Sequence, residues 1–235
     1  MHKKILWVLL LISILINFIL IAWIATSYLK KSTKQVLSSN SREELSKDIF
    51  NYCPNDTNEI IFLGNSITAG FKVDELFPAE NVKNRGIWGD QTRDMLNRIG
   101  EIIESKPKKL FILAGINDII RDVPLKNTVH NIELIILEIQ KTSPETKIYI
   151  QSILPLTRHA SNYFFDNEET AFRKIVEANK EINRLCNLRN VEFISIDGPF
   201  LKNNELNEIY SWDGIHLNGK GYMLWYKQIE RFVVD

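Results

Sequence analysis

A serine at the end of an apolar run, a histidine near the C-terminus and a carboxylate three residues before it are the groups best suited to chemistry. Ser66 follows Ile60-Ile-Phe-Leu63 and Gly64-Asn65. A buried strand ending in so tight a turn leaves the Ser66 hydroxyl at the carboxyl edge of a sheet, where open α/β sheets place ligands. A helix opening just after it would add unsatisfied backbone N–H groups and a positive dipole end, both favourable to developing negative charge. A hydroxyl is a poor nucleophile at neutral pH and needs a base. Of the four histidines, His2 precedes a long apolar segment, His130 falls in a helical pattern and His159 sits in a loop that could line a pocket. His216 lies three residues after Asp213, close enough for the carboxylate to accept from Nδ1–H and fix the tautomer. Donors for an oxyanion are present as well: the Gly89 N–H, open to close approach for want of a Cβ, the Asn117 side-chain amide and the Ser66 N–H. Taken singly, each reads equally well as punctuation, with Ser66 an N-cap, Asp213 a turn cap and Asn117 a turn former.

What must position these groups is an alternation of strand and helix signals. Glu59–Leu63, Asn81–Asn84, Lys109–Ala114, Lys147–Ile153 and Val191–Ile196 read as strands. Asp90–Ser105, Leu125–Lys141, Phe165–Leu188 and Gly219–Val233 carry helical periodicity. The alternation predicts an α/β fold: a three-layer α/β/α sandwich with a five-stranded parallel sheet of flavodoxin-like order. In a parallel sheet all strand C-termini share one edge. Gly64–Ser66, Asn84–Asp90, Gly115–Asp118 and Trp212–Asn218 each follow a predicted strand, so the four segments can converge there.

With those segments in view the resemblance is specific. GNS at Gly64–Ser66, NRGIWGD at Asn84–Asp90, GIND at Gly115–Asp118 and DGIH at Asp213–His216 occur in the order and rough spacing of the SGNH, or GDSL-like, hydrolase superfamily. The resemblance covers about residues 55–235 and all four family blocks. It implies Ser66 as nucleophile, His216 as base, Asp213 as its orienting carboxylate, and an oxyanion hole of Ser66, Gly89 and Asn117. It implies acyl transfer to Ser66 followed by hydrolysis, with no metal or organic cofactor required. Asn65 stands where the family more often has Asp, a departure shared with several carbohydrate-esterase members. NRGIWGD with GNSIT is most similar to the carbohydrate O-acetylesterase branch, including platelet-activating-factor acetylhydrolase-like members. The expected substrate is therefore a small acylated molecule, a sugar or cell-envelope glycan carrying acetyl, with Trp88, Asn65 and Trp212 as candidate substrate-binding residues. Two other readings stay open: a lysophospholipase or thioesterase acting on lipid esters, and a catalytically silent, membrane-tethered glycan-binding scaffold.

Composition sets the outer bounds. The 29 basic and 29 acidic side chains cancel, leaving no polybasic footprint for nucleic acid. The two cysteines, Cys53 and Cys186, lie in no CxxC and near no histidine at metal spacing, which makes zinc improbable; whether they pair stays open. Ile5–Leu29 contains no charged residue and is long enough for a membrane-spanning helix. Bulky Trp23, Ile24 and Tyr28 crowd its end, favouring an uncleaved signal anchor over a cleaved signal peptide. The expected organisation is an anchor over residues 1–31, a stalk and leading helix over 32–54 and a hydrolase domain over 55–235. Lys3 and Lys4 before the span and Lys30, Lys31 and Lys34 after it leave the positive-inside count undecided. The short N-terminal tail favours a single-pass protein with its catalytic domain outside the cytoplasm. Oligomeric state is not legible.

Overall fold

The computed structural model describes residues 56–165 and 168–235, preceded by residues 7, 16–26, 28, 46, 48–50, 52 and 53. The chain forms two units, Met1–Asp48 and Ile49–Asp235. In the first, residues 16–26 are helical, with Phe18, Ile21 and Trp23 exposed. The span expected over Ile5–Leu29 lies partly outside the described residues, and among the described residues no helix is long and apolar enough to cross a membrane. The polar stretch Ser32–Asn40 lies outside them altogether; of the leading helix, residues 46 and 48–50 are helical.

The second unit is built on β1 (Ile60–Gly64), β2 (Val82–Gly86), β3 (Lys109–Leu113), β4 (Lys147–Gln151) and β5 (Glu192–Ile194). All neighbours pair in parallel in the order β2-β1-β3-β4-β5, the expected five-stranded sheet. β1 and β3 are buried at every position, as apolar runs covered on both faces must be. Side chains alternate across the sheet. On one face Phe62 stacks on Phe111 at 4.9 Å and Phe111 on Tyr149 at 4.6 Å. Phe71 meets Phe62 edge-on and stacks on Trp225 at 4.3 Å. Residues such as Ile61, Leu63, Leu110 and Ile112 are left for the other face.

The helices are α1 (Ser66–Ala69), α2 (Val73–Leu76), α3 (Thr92–Asn97), α4 (Ile99–Ile103), α5 (Ile116–Ile120), α6 (Leu125–Thr142), α7 (Arg158–Phe164), α8 (Glu168–Arg189) and α9 (Gly219–Val234). α6 buries Ile132, Ile135, Ile136 and Ile139, one stripe at helical spacing, and packs on α3, α4 and α8. At the sheet edge remote from Ser66, the buried Lys109 Nζ donates to the carbonyls of Phe232 and Val233. Its charge sits at the C-terminal end of α9, the favourable end of the dipole, while burial pushes its pKa down.

Three elements differ from expectation. The helix predicted over Asp90–Ser105 is broken at Arg98, which closes α3 and opens α4 with φ −112° and ψ 10°. The break lets the Arg98 guanidinium turn inward: Nε pairs with Asp90 at 2.9 Å and Nη2 donates to the Arg85 carbonyl at 2.8 Å. The helix predicted from Phe165 begins at Glu168, because Phe165 instead closes α7, whose start is capped by Thr157. A two-stranded hairpin, β6 (Leu201–Lys202) with β7 (Glu205–Leu206), lies where no strand is predicted. Elsewhere strand ends shift by at most two residues; β2 runs on to Gly86 and β5 stops at Ile194.

Candidate active site

The β1 apolar run ends at Gly64, and the chain turns at Asn65 into the single turn of α1. Asn65 is extended at φ −94° and ψ −152°, and its Oδ1 accepts from the Ile67 N–H at 2.9 Å. Ser66 is thereby the first helical residue, at the carboxyl edge of the sheet. With only four residues α1 has little of the dipole that a longer helix would bring. Asn84 of β2 secures the turn from the side. Its Nδ2 donates to the carbonyls of Thr68 and Phe71, and its Oδ1 accepts from the Gly86 N–H. From α9, the hydroxyl of the half-buried Tyr222 donates to the Ile67 carbonyl at 2.9 Å. Burial first, and then the charge of Asp213, push the Tyr222 pKa up, so it stays a donor.

The histidine arrives from the loop before α9. Ser211 Oγ donates to the His216 carbonyl and accepts from the Gly214 N–H, closing Trp212–Leu217 into a compact turn. Gly214 has φ +93°, and a Cβ there would lie 2.4 Å from Thr157 Oγ1, so the turn needs glycine on both counts. Within it Asp213 Oδ1 accepts from the backbone N–H groups of Ile215 and His216, and Oδ2 pairs with His216 Nδ1 at 2.6 Å. Burial pushes the Asp213 carboxyl up, but these three hydrogen bonds outweigh it and hold the pKa below the usual carboxylate range. On the other side of the ring, His216 Nε2 stands 2.9 Å from Ser66 Oγ. Residues 150 positions apart are thus joined in one Asp–His–Ser series.

The two remaining segments are joined to each other. Asn117, in the first turn of α5, donates through Nδ2 to the Asp90 carbonyl at 2.9 Å; the second hydrogen of that amide is left to point elsewhere. Asp118 beside it is buried, with Oδ2 accepting from the Thr92 N–H and Oδ1 from the Thr92 hydroxyl, so α5 and α3 are tied together. Burial raises the Asp118 pKa against those bonds. Gly89, at φ +83°, carries the bend between β2 and α3. That loop is held from below by the Asp90–Arg98 pair and by the bond from the Ile87 N–H to the Gly64 carbonyl.

Of the candidate substrate-binding residues, Trp88 and Trp212 are 53% and 66% exposed. Their rings lie 4.9 Å and 5.7 Å from the His216 ring. Asn65 is buried and caps α1; its Nδ2 has no partner among the described residues. With Ile67, Leu113, Ala114, Ile116, Ile153 and Leu154 it lines an apolar crevice beside Ser66 that has no room for a water molecule. His159 is exposed on α7, and His130 faces Glu133 on α6. Cys53 and Cys186 are both free thiols. Among the described residues no group of three His, Cys, Asp or Glu side chains could hold a metal ion. Asn84, Asp118, Arg98, Ser211 and Tyr222 hold the site without having been singled out from the sequence. Asn84 and Asp118 lie inside the recognised segments and Ser211 directly precedes one, whereas Arg98 and Tyr222 act across the fold and leave no local signal.

Residues 62–224 match the model of the GDSL-like Lipase/Acylhydrolase family. The chain is 25% identical over 195 residues to platelet-activating factor acetylhydrolase IB subunit alpha2 of Rattus norvegicus, covering 78% of this chain and 79% of that one. A solved structure from Streptococcus pneumonia, assigned as a platelet activating factor, superposes with TM-score 0.74 at 26% identity, over 86% of this chain and 98% of the other. The acetylxylan esterase Axe2 of Geobacillus stearothermophilus shares the fold at TM-score 0.62 and 19% identity, over 77% and 96%. The chain belongs to the GDSL-like lipase/acylhydrolase family of the SGNH hydrolase superfamily and is a carboxylic ester hydrolase.

Proposed function

We propose that this enzyme is a serine esterase that removes small acyl groups, acetyl above all, from a carbohydrate or cell-envelope glycan. The carrying observation is the 2.9 Å approach of His216 Nε2 to Ser66 Oγ, with Asp213 on the opposite nitrogen. In this reading His216 takes the Ser66 proton as Oγ attacks the ester carbonyl carbon. The oxyanion is held by the N–H groups of Ser66 and Gly89 and by the free hydrogen of Asn117 Nδ2. His216 then returns the proton to the departing alcohol, and the acyl group stays on Ser66. Water, deprotonated by His216, attacks that acyl carbon; the bond from the acyl carbon to Ser66 Oγ breaks, His216 returns the proton to Oγ, and the acid leaves. Asp213 stays ionised throughout, holding the tautomer and stabilising the imidazolium.

The acetylhydrolase name of the rat relative supports a short acyl group. Two exposed indoles beside His216 support a sugar on the alcohol side, since aromatic faces suit pyranose rings. Membership in an acylhydrolase family favours hydrolysis over a silent scaffold. The uncharged run Ile5–Leu29 would tether this activity to a membrane, with the catalytic unit outside the cytoplasm. Retention of the full chain in alkali-washed membranes checks that part.

The test is hydrolysis of p-nitrophenyl acetate, butyrate, octanoate and palmitate, and of an acetylated xylo-oligosaccharide, by the full chain beside Ser66→Ala. The expected result is turnover of acetate and of the oligosaccharide that Ser66→Ala abolishes. Preference for octanoate or longer would move the assignment to lipid esters.

A further inference from the structure

Arg121 stands on the outer side of the loop that carries Gly89. It follows the last residue of α5, four residues beyond Asn117, so the two side chains leave the same side of that helix. Its Nη2 lies 3.6 Å from where a Cβ on Gly89 would sit, and its Nη1 donates to Gln91 Oε1 at 2.9 Å. The side chain is exposed, and among the described residues no carboxylate pairs with it. Several other arginines are already engaged: Arg98 pairs with Asp90, Arg158 with Glu205, Arg184 with Glu181 and Arg189 with Glu133, and Arg85 and Arg231 lie over the Phe50 and Phe232 rings. A guanidinium held in place by a neutral amide, with Nε and Nη2 left over, keeps its fork for an incoming group. Across the same loop Trp88 immediately precedes Gly89 and lies against His216. The Trp88–Gly89 segment and Arg121 beside it therefore present together an indole face, a candidate oxyanion donor and a cation with no carboxylate partner among the described residues.

We infer that Arg121 reads a negative charge on the alcohol part of the substrate, and that the substrate is an acylated saccharide bearing an oxyanion, carboxylate or phosphate. This rests on the esterase reading above and narrows its substrate class. The planar fork of Nε and Nη2 matches two oxygens of either group, and a charge-assisted pair is stronger than a neutral hydrogen bond. Trp88 packs against the ring while Arg121 fixes its charged substituent, and Ser66 Oγ meets the acyl carbon of a neighbouring hydroxyl.

The test uses matched pairs and the full chain. Acetylated oligogalacturonate is compared with its carboxyl methyl ester, and O-acetylglucose 6-phosphate with neutral O-acetylglucose, for the wild type, Arg121→Gln and Arg121→Lys. The readout is the ratio of kcat/KM for the anionic over the neutral member, which a general loss of activity does not move. The expected result is a ratio of about ten or more in at least one pair, lowered by added salt. Arg121→Gln brings that ratio to about one and Arg121→Lys keeps part of it. The pair that shows it identifies the oxyanion's source. Ratios near one in both wild-type pairs, or a ratio unchanged in Arg121→Gln, would overturn the inference. Turnover of the neutral sugars that depends on Ser66 keeps the esterase reading standing in either case; no turnover of any acetylated sugar would remove that reading itself.

Discussion

Ser66 and Trp88 lie near the same imidazole, yet the structure holds them in opposite ways. Ser66 is 7% exposed, in a turn fixed by Asn65, Asn84 and Tyr222, and His216 approaches it from a loop tied down by Ser211 and Asp213. Trp88 and Trp212 are more than half exposed, and Arg121 leans on the neutral amide of Gln91. The interior groups form a hydrogen-bonded series in which each member fixes the next. The rim groups offer large or charged surfaces with little to constrain them. On the proposed function the difference separates two tasks: the interior sets whether an ester is cleaved and the rim sets which alcohol is accepted. Substitutions should divide along that line.

The largest expected effect is at the centre. Ser66→Ala or His216→Ala should lower kcat/KM by about 10⁴ or more on every ester, rim contacts notwithstanding. Asn117→Ala should cost about 10²–10³ in kcat with a much smaller change in KM, since on the proposed mechanism it removes a donor used in the transition state. Near-equal loss on acetate and on the oligosaccharide would mark both as interior. At the rim, Trp88→Ala should lower kcat/KM on an acetylated oligosaccharide about tenfold and on p-nitrophenyl acetate by less. Equal losses on the two substrates would erase the distinction between the regions. Asn84→Ala is a test of support rather than of chemistry: it forfeits three hydrogen bonds around α1 and should cost about 2–3 kcal/mol in denaturant unfolding.

The smallest expected effect on activity lies far from the site. Burial pushes the Cys186 thiol up to about 12. The folded state then holds a proton that the unfolded chain gives up near pH 8.5, so this term is fully present below about pH 8.5. It is lost as pH rises from there toward 12. Unfolding midpoints of the wild type should fall more steeply over that window than those of Cys186→Ala. Native labelling at pH 8 should modify the half-buried Cys53 and spare Cys186.

How much of this was legible follows from where each signal resides. β1 and β3 are continuous apolar runs between turn residues, so their place in the sheet can be read directly. The four segments that converge at the carboxyl edge follow from the parallel topology. The break at Arg98 could not be read, because Met95, Ile99, Ile102 and Ile103 keep helical spacing across it. What ends the helix is a partner, Asp90, whose attraction depends on the fold already being formed. The β6–β7 hairpin has two residues per strand, too few for any alternation to show. His159 looked able to line a pocket from its loop-like surroundings; it instead sits exposed on α7, which Thr157 caps. Arg121 left no mark, since an exposed arginine after a short helix is ordinary until its neighbours in space are known.

The central claim is that Ser66, activated by His216, carries the acyl group. The most direct measurement is intact-protein and peptide mass after a rapid acid quench of the full chain with excess p-nitrophenyl acetate. The expected result is a gain of one acetyl group, localised to the peptide containing Ser66 and absent from Ser66→Ala. An acetyl group on another residue that persists in Ser66→Ala, with turnover intact in that variant, would contradict the account.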